Sequence, residues 1–280
     1  MNDVRVYSNC YGPLGVWAAV EQLRAAGVTR LELALRGHNM GGLVISGDAV
    51  ITERTDKDTV RRFQDHLAEH RVQVTSCNIG GGDLRTLEGV KLTETRMRCA
   101  KTWFGVPLVV SNAGQPKNPE ERACVVEHLR TLGNIAANLD LTIALETHEG
   151  PTQNAARMAD LMNDINHDHV GINFDTGNIA YYNEGFDPCQ ELQGVVKWVR
   201  NVHLKDNRGG FKDWFFPALG AGGAVDFARV REILAEAGYT GSYTIELEGI
   251  GGEPEPGLEA RQERIAQSVA HLKKCGYAVG

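Results

Sequence analysis

Four short stretches of this chain each end in a side chain that can bind a cation or move a proton. They read Ala144-Leu145-Glu146-Thr147-His148, Asn173-Phe174-Asp175-Thr176-Gly177, Asn201-Val202-His203-Leu204-Lys205 and Thr244-Ile245-Glu246-Leu247-Glu248. In each, apolar and polar residues alternate, the signature of a β-strand whose successive side chains face opposite sides. Ile143 and Leu145 share one face of the first, and Thr142, Ala144 and Glu146 the other. Ile172 and Phe174 oppose Asn173 and Asp175, Val202 and Leu204 oppose Asn201 and His203, and Ile245 and Leu247 oppose Thr244 and Glu246. With the bulky faces turned to covering helices, the small and polar faces turn inward. Glu146, Asp175, His203 and Glu246 then meet near one rim. Three carboxylates brought together repel one another. A divalent cation removes that repulsion, and a neutral imidazole adds a nitrogen ligand. The expectation is one divalent metal ion per chain; the oxygen-rich set suits manganese, magnesium or cobalt, with zinc or iron also compatible. Parity leaves Glu246 and Glu248 equivalent, since both lie on one face.

These strands need neighbours to position them. Eight β-rich runs occur, at 4–8, 30–36, 72–79, 107–113, 141–147, 170–176, 199–205 and 241–248. Helical stripes alternate with them: Val60, Phe63 and Leu67; Met158, Leu161, Met162 and Ile165; Phe227, Val230, Ile233 and Leu234; Leu258, Ile265, Val269 and Leu272. Asn118-Pro119 and Asp187-Pro188 place a capping side chain before a proline at the first helical position. Gly27, Gly238 and Gly276 stand where stripes stop. Alternating strands and helices imply parallel strands with crossover helices. Eight units, the last strand followed by its own helix, point to an α/β fold of the (β/α)8 TIM-barrel type rather than an open sheet. No internal linker interrupts 1–280, so a single domain is expected. In such a barrel the active site lies where strands end and the following loops begin.

Composition narrows the class. The chain has 280 residues and a net charge of −7, with no basic block, so no nucleic-acid partner is expected. Its first residues lack a signal-peptide pattern and no apolar run is long enough to span a bilayer. A cytoplasmic protein without a membrane partner is therefore expected. Cysteines at 10, 77, 99, 124, 189 and 275 include no CxxC pair and read as reduced, packed thiols.

The strings ALETHEG, NFDTGN, VHLKD, LGAGGAVDF and GYTGSYTIELEG resemble the xylose-isomerase-like TIM barrel superfamily, which includes sugar phosphate isomerases and epimerases, inosose dehydratases and an apurinic-site endonuclease branch. The resemblance spans most of the chain and is densest over 141–250. It implies a metal held by Glu146, Asp175, His203 and Glu246, favouring Glu246 over Glu248, with Glu146 and Glu246 exchanging protons with substrate. The chain departs from ketose epimerases and the endonucleases at Asn178, where they usually carry histidine. That departure argues against a three-metal site and against cleavage of abasic DNA.

Further residues are candidates for binding a small sugar-like substrate. His148 follows Glu146 on the same face, Asn178 can hydrogen-bond a hydroxyl, and Lys205 can stabilise an enolate oxygen. Arg208 can take a phosphate or carboxylate, Trp214 can pack on a sugar face, and His38 follows the second strand. Glu32, inside that strand, is a candidate for an ion pair or a substrate contact. The glycine-rich run Gly220–Gly223 offers a weak phosphate-cradle signal. Loop 214–216 (Trp-Phe-Phe) can be an exposed apolar patch, for which a homodimer or homotetramer is expected. The implied reaction is isomerisation or epimerisation of a keto sugar or related polyol. Dehydration of an inosose or keto-glycoside on the same metal is the alternative, and a non-catalytic sugar-binding barrel a third reading.

Overall fold

The computed structural model describes residues 3–36, 39–40, 43–44 and 50–279, with 39–40 and 43–44 described by their backbone. Eight parallel strands close into a barrel. They are β1 (Val4–Tyr7), β2 (Arg30–Ala34), β3 (Gln73–Gly80), β4 (Leu108–Ser111), β5 (Thr142–Glu146), β6 (Val170–Asp175), β7 (Val199–Leu204) and β8 (Tyr243–Ile245). β8 pairs back onto β1, with Val4 opposite Tyr243 and Val6 opposite Ile245. All eight expected runs are strands, though several are shorter than the runs suggested, β4 and β8 most of all. The last turns away at the mouth after Ile245, yet the amide of Glu246 still donates to the Leu204 carbonyl at 3.0 Å, so that residue stays in register.

Helices cover the outside: α1 (Gly15–Gln22), α2 (Lys57–His70), α3 (Leu87–Phe104), α4 (Pro119–Asn138), α5 (Ala155–Ile165), α6 (Thr176–Tyr182), α7 (Pro188–Val195), α8 (Phe227–Glu236) and α9 (Leu258–Lys274). Their starts are set chemically. The side chains of Asp56, Thr86, Asn118, Asn154, Asp187 and Asp226 each accept a hydrogen bond from a first-turn amide, a contribution of about 1 kcal/mol apiece. The apolar stripes read from the sequence are buried against the strands, apart from half-buried Leu258 at the start of α9. Each such side chain contributes about 1.5–3 kcal/mol on leaving water.

The barrel interior, by contrast, is polar. Glu32 Oε2 accepts from Ser76 Oγ at 2.7 Å, Thr244 Oγ1 at 3.2 Å and Asn201 Nδ2 at 3.3 Å. Arg5 Nη2 donates to Asn201 Oδ1 at 3.0 Å, and Asn201 Nδ2 also reaches Asn173 Oδ1 at 2.9 Å. All six residues are buried. This layer is the floor on which the site stands. At the mouth, Phe215–Phe216 pairs antiparallel with Gly249–Ile250, drawing the aromatic loop after β7 beside the loop after β8. Among the described residues no helix is long and apolar enough to cross a membrane, and all six cysteines are free.

Candidate metal centre

Glu146, Asp175, His203 and Glu246 converge at the carboxyl ends of β5 to β8, each offering a ligand atom within 4.8 Å of the others. His203 and Asp175 are fully buried, Glu246 nearly so, and the Glu146 side chain is 18% exposed. Glu146 therefore faces the opening. His203 Nδ1 lies 2.8 Å from Glu246 Oε2 and 3.5 Å from Glu146 Oε1. Asp175 does two jobs. Its Oδ1 caps α6, accepting from the amides of Gly177 at 2.9 Å and Asn178 at 2.8 Å. Its Oδ2 is buried and makes no hydrogen bond, although the Lys205 ammonium stands 3.2 Å away. A buried carboxylate oxygen without a hydrogen bond is costly. A cation at the centre of the four side chains would engage it, so the donor set fits a divalent metal.

Two further shells hold the four in place. His203 Nε2 lies 2.7 Å from Glu32 Oε1, so Nε2 carries the proton toward the floor and Nδ1 faces the other three ligands. A carboxylate behind a ligating histidine fixes its tautomer and orientation. Asn78 Nδ2 donates to Glu146 Oε2 at 3.3 Å. Lys205 Nζ, also buried, pairs with Glu248 at 2.9 Å, Asp175 at 3.2 Å and Glu246 at 3.4 Å. It threads past Gly177, where a Cβ would fall 2.7 Å from Lys205 Cγ.

Without a metal, protons and Lys205 carry the compensating charge. Burial pulls His203 down, but Glu32 and Glu246 outweigh it and hold the imidazole well above its usual range. Burial likewise opposes the Lys205 charge, and Asp175, Glu246 and Glu248 restore it. Burial pushes Asp175 up to about 8 despite Lys205. Glu246, buried as well, is held well below the carboxylate range by Lys205 and His203.

The sequence candidates separate clearly. Glu248 lies outside the group of four and pairs with Lys205 at 2.9 Å. Asn178 spends its side chain internally, donating to the Thr147 carbonyl at 2.9 Å and accepting from Lys205 at 3.3 Å. His148 is exposed above the rim, 2.8 Å from the Tyr182 hydroxyl. Arg208 is exposed, paired with Asp213, and stacked 4.4 Å from the Phe215 ring centre. Trp214 meets Tyr181 and Phe216 edge-on and is 39% exposed. His38 lies outside the described residues. The glycine-rich run closes on a carboxylate: Asp206 Oδ2 accepts from Gly220 N at 2.8 Å. Sequence reading passed over Asn78, Tyr7 and Arg36. Inward parity on β1 and β3 was the available signal for the first two, and shared parity with Glu32 for the third.

Two cavities flank the centre. One of about 520 Å³ opens beside Glu146, lined also by Arg36, Gly80, Asn112 and His148. Another of about 350 Å³ lies beside Glu248, with Cys10, Trp214 and Arg261 in its wall. Among the described residues one other group, His66, Glu69 and His70 on α2, brings ligand-type atoms this close.

Residues 20–275 match the model of the xylose isomerase-like TIM barrel family, and the chain belongs to that family. It is 32% identical over 146 residues to an inosose dehydratase of Clostridium botulinum, covering 47% of this chain and 48% of that one. It is 30% identical over 135 residues to an L-ribulose-5-phosphate 3-epimerase of Salmonella paratyphi B, covering 48% and 45%. The matches thus span about half the length of these curated relatives. A xylose isomerase-like TIM barrel protein from Mycobacterium smegmatis, solved in complex with magnesium, superposes with a TM-score of 0.70 at 19% identity over 95% of this chain and 91% of that one.

Proposed function

We propose that this protein is a divalent-metal-dependent isomerase or epimerase of a keto sugar or related polyol, working by proton transfer through an enediolate. The observation that carries the reading is the position of Glu146 and Glu246. They come from strands on either side of Asp175 and His203, at one mouth, with Glu146 open to a cavity of about 520 Å³. That size suits a small ligand. The carbon-bound proton beside a carbonyl is weakly acidic, and a divalent cation held by Glu146, Asp175, His203 and Glu246 supplies Lewis acidity there. The chain's own groups do the rest. Glu146, the more accessible carboxylate, takes the proton, and Glu246, protonated from solvent during turnover, returns one from the other side. Lys205, kept charged by three carboxylates, supplies a fixed positive field where negative charge develops. The relatives' names, a dehydratase and a 3-epimerase, support the same first step, since both reactions begin with that proton. The dehydratase relative favours a second reading, in which the enediolate loses a β-hydroxyl as water instead of being reprotonated.

The experiment is a panel of keto sugars, inososes and 3-keto glycosides with added Mn²⁺ in deuterated water, followed by NMR. Deuterium entering a substrate carbon is expected, with isomer formation or water loss deciding between the two readings. Glu146→Gln and Glu246→Gln should each lower kcat at least ~100-fold, the lower end of general-base contributions, with metal content measured in the same samples. Full turnover by either variant with metal bound would remove that glutamate as the base. A wild-type enzyme inert on the whole panel with metal bound would count for the sugar-binding reading.

A further inference from the structure

The buried polar atoms around this site without a hydrogen-bond partner include Asp175 Oδ2, the Tyr7 hydroxyl and Arg36 Nε. The first faces the other three ligands. The other two point to a different ligand. Tyr7 is fully buried and its ring stacks on His203, with ring centres 5.8 Å apart. Arg36 follows β2 and lines the same cavity as Glu146 and His148. Gly80, at φ +62°, opposes it; a Cβ there would fall 3.0 Å from Arg36 Cδ, so the missing side chain makes room for the guanidinium stem. The other arginine in this cavity wall, Arg85, is spent on Asp83 at 2.8 Å and Glu121 at 3.5 Å. The amides of Gly80 and Gly82 are spent too, on Asn78 Oδ1 and Thr93 Oγ1. Of the two arginines in this wall, Arg36 is the one without an ion pair among the described residues.

Taking the metal-dependent sugar reading as its base, we infer that Arg36 and Tyr7 form a subsite for a negatively charged substrate oxygen, so that the substrate is a sugar acid or a sugar phosphate. The charges support it. Arg36 stands in the field of Tyr7, Glu146, Glu246 and Glu248, which favours its charged form. A divalent cation on the tetrad takes up two of its three carboxylate charges, and Lys205 stands closest to Glu248. Among the described residues no carboxylate is ion-paired to the guanidinium, which lines a semi-enclosed cavity with the Tyr7 phenol in its field. A guanidinium fork matches a carboxylate or a phosphate.

The test is calorimetric titration of the magnesium-loaded protein with glycolate, with inorganic phosphate and with glycerol as the uncharged control. Glycolate or phosphate is expected to bind, and whichever binds more tightly identifies the source of the charge. Arg36→Met should weaken that binding about tenfold or more, as expected for loss of a charged hydrogen bond at a buried site. Arg36→Lys should fall between, and Tyr7→Phe should weaken it several-fold. Arg98→Met, which changes an exposed arginine on the outer helix α3, should leave it unchanged. Magnesium affinity, measured for every variant, should stay at the wild-type value. Any contact of the probe with the metal is common to all variants and cancels in the comparison. Binding of neither anion to the wild type, or equal binding by wild type and Arg36→Met with magnesium bound, would overturn the inference. Failure of magnesium itself to bind would instead strike at the metal reading, and that titration is made first.

Discussion

Glu32 shows how a residue below the mouth can hold a candidate metal ligand in place. Its Oε1 holds His203 Nε2 at 2.7 Å, while its Oε2 is fixed by Ser76, Asn201 and Thr244. Glu32→Gln keeps the size and one carbonyl oxygen but lowers the basicity behind the imidazole and leaves its tautomer less well fixed. Metal affinity should fall about 10–100-fold, the usual effect of removing such a partner, as read by titration with Mn²⁺. Unchanged affinity would mean that His203 is oriented by packing alone, with Tyr7 as the obvious support. The type and inward parity of the tetrad were legible in the sequence because ligand and strand signal lie within a few residues of each other. The role of Glu32 was not, since its partner lies 171 residues away and only closure of the barrel joins them. Arg36 shares the parity of Glu32 in the run 30–36, so its inward direction was readable and was passed over.

At the scale of elements, the start of α6 carries most of the positional information. Asp-Thr-Gly-Asn at 175–178 is a strand end, a helix cap and a ligand in one four-residue turn. Gly177 is there because Lys205 passes over it. Gly177→Ala would push a methyl to 2.7 Å from Lys205 Cγ. The resulting overpacking should cost about 1–3 kcal/mol, seen as a lower denaturant midpoint. Because Lys205 moves, the variant should also lose activity beyond what its stability explains. Wild-type stability would show that the stem of Lys205 gives way freely. The strands and their order were readable from periodicity, and so were the caps at Asn118 and Asp187. The shortness of β8 was not, since the alternation in 241–248 continues past the point where its backbone leaves the ladder.

For the whole molecule, a polar interior makes stability depend on what neutralises it. His203 and Asp175 both hold protons more tightly in the fold than in the unfolded chain. The metal-free protein therefore binds more protons folded than unfolded, and its stability falls as pH rises. For Asp175 the window runs from about 4 to about 8; for His203 it begins near about 6.5 and extends upward. Chelator-treated protein should lose melting temperature between pH 6 and pH 9, whereas metal-loaded protein should not, because the cation replaces those protons. Parallel profiles for the two forms would contradict the assignment of the tetrad. At the surface, the apolar patch expected at 214–216 is reduced, because Phe216 is buried and Phe215 half-buried; Trp214 is 39% exposed, and Phe211, three residues earlier, 52%. A dimer or tetramer through this patch is expected, and light scattering should show Phe211→Ser shifting mass toward the monomer; a monomeric wild type at micromolar concentration would remove the expectation.

The double use of Asp175 gives the protein a built-in resonance reporter. One oxygen of a single carboxyl group takes the amide protons of Gly177 and Asn178, while the other faces the cation position. Whatever draws electron density toward Oδ2 draws it from Oδ1, so those two amide protons register it through a conjugated group of three atoms. In a ¹⁵N-labelled sample their chemical shifts should follow proton, magnesium and substrate in turn, with no probe attached. The turn that begins a helix thus doubles as a gauge of the charge state of the centre beside it.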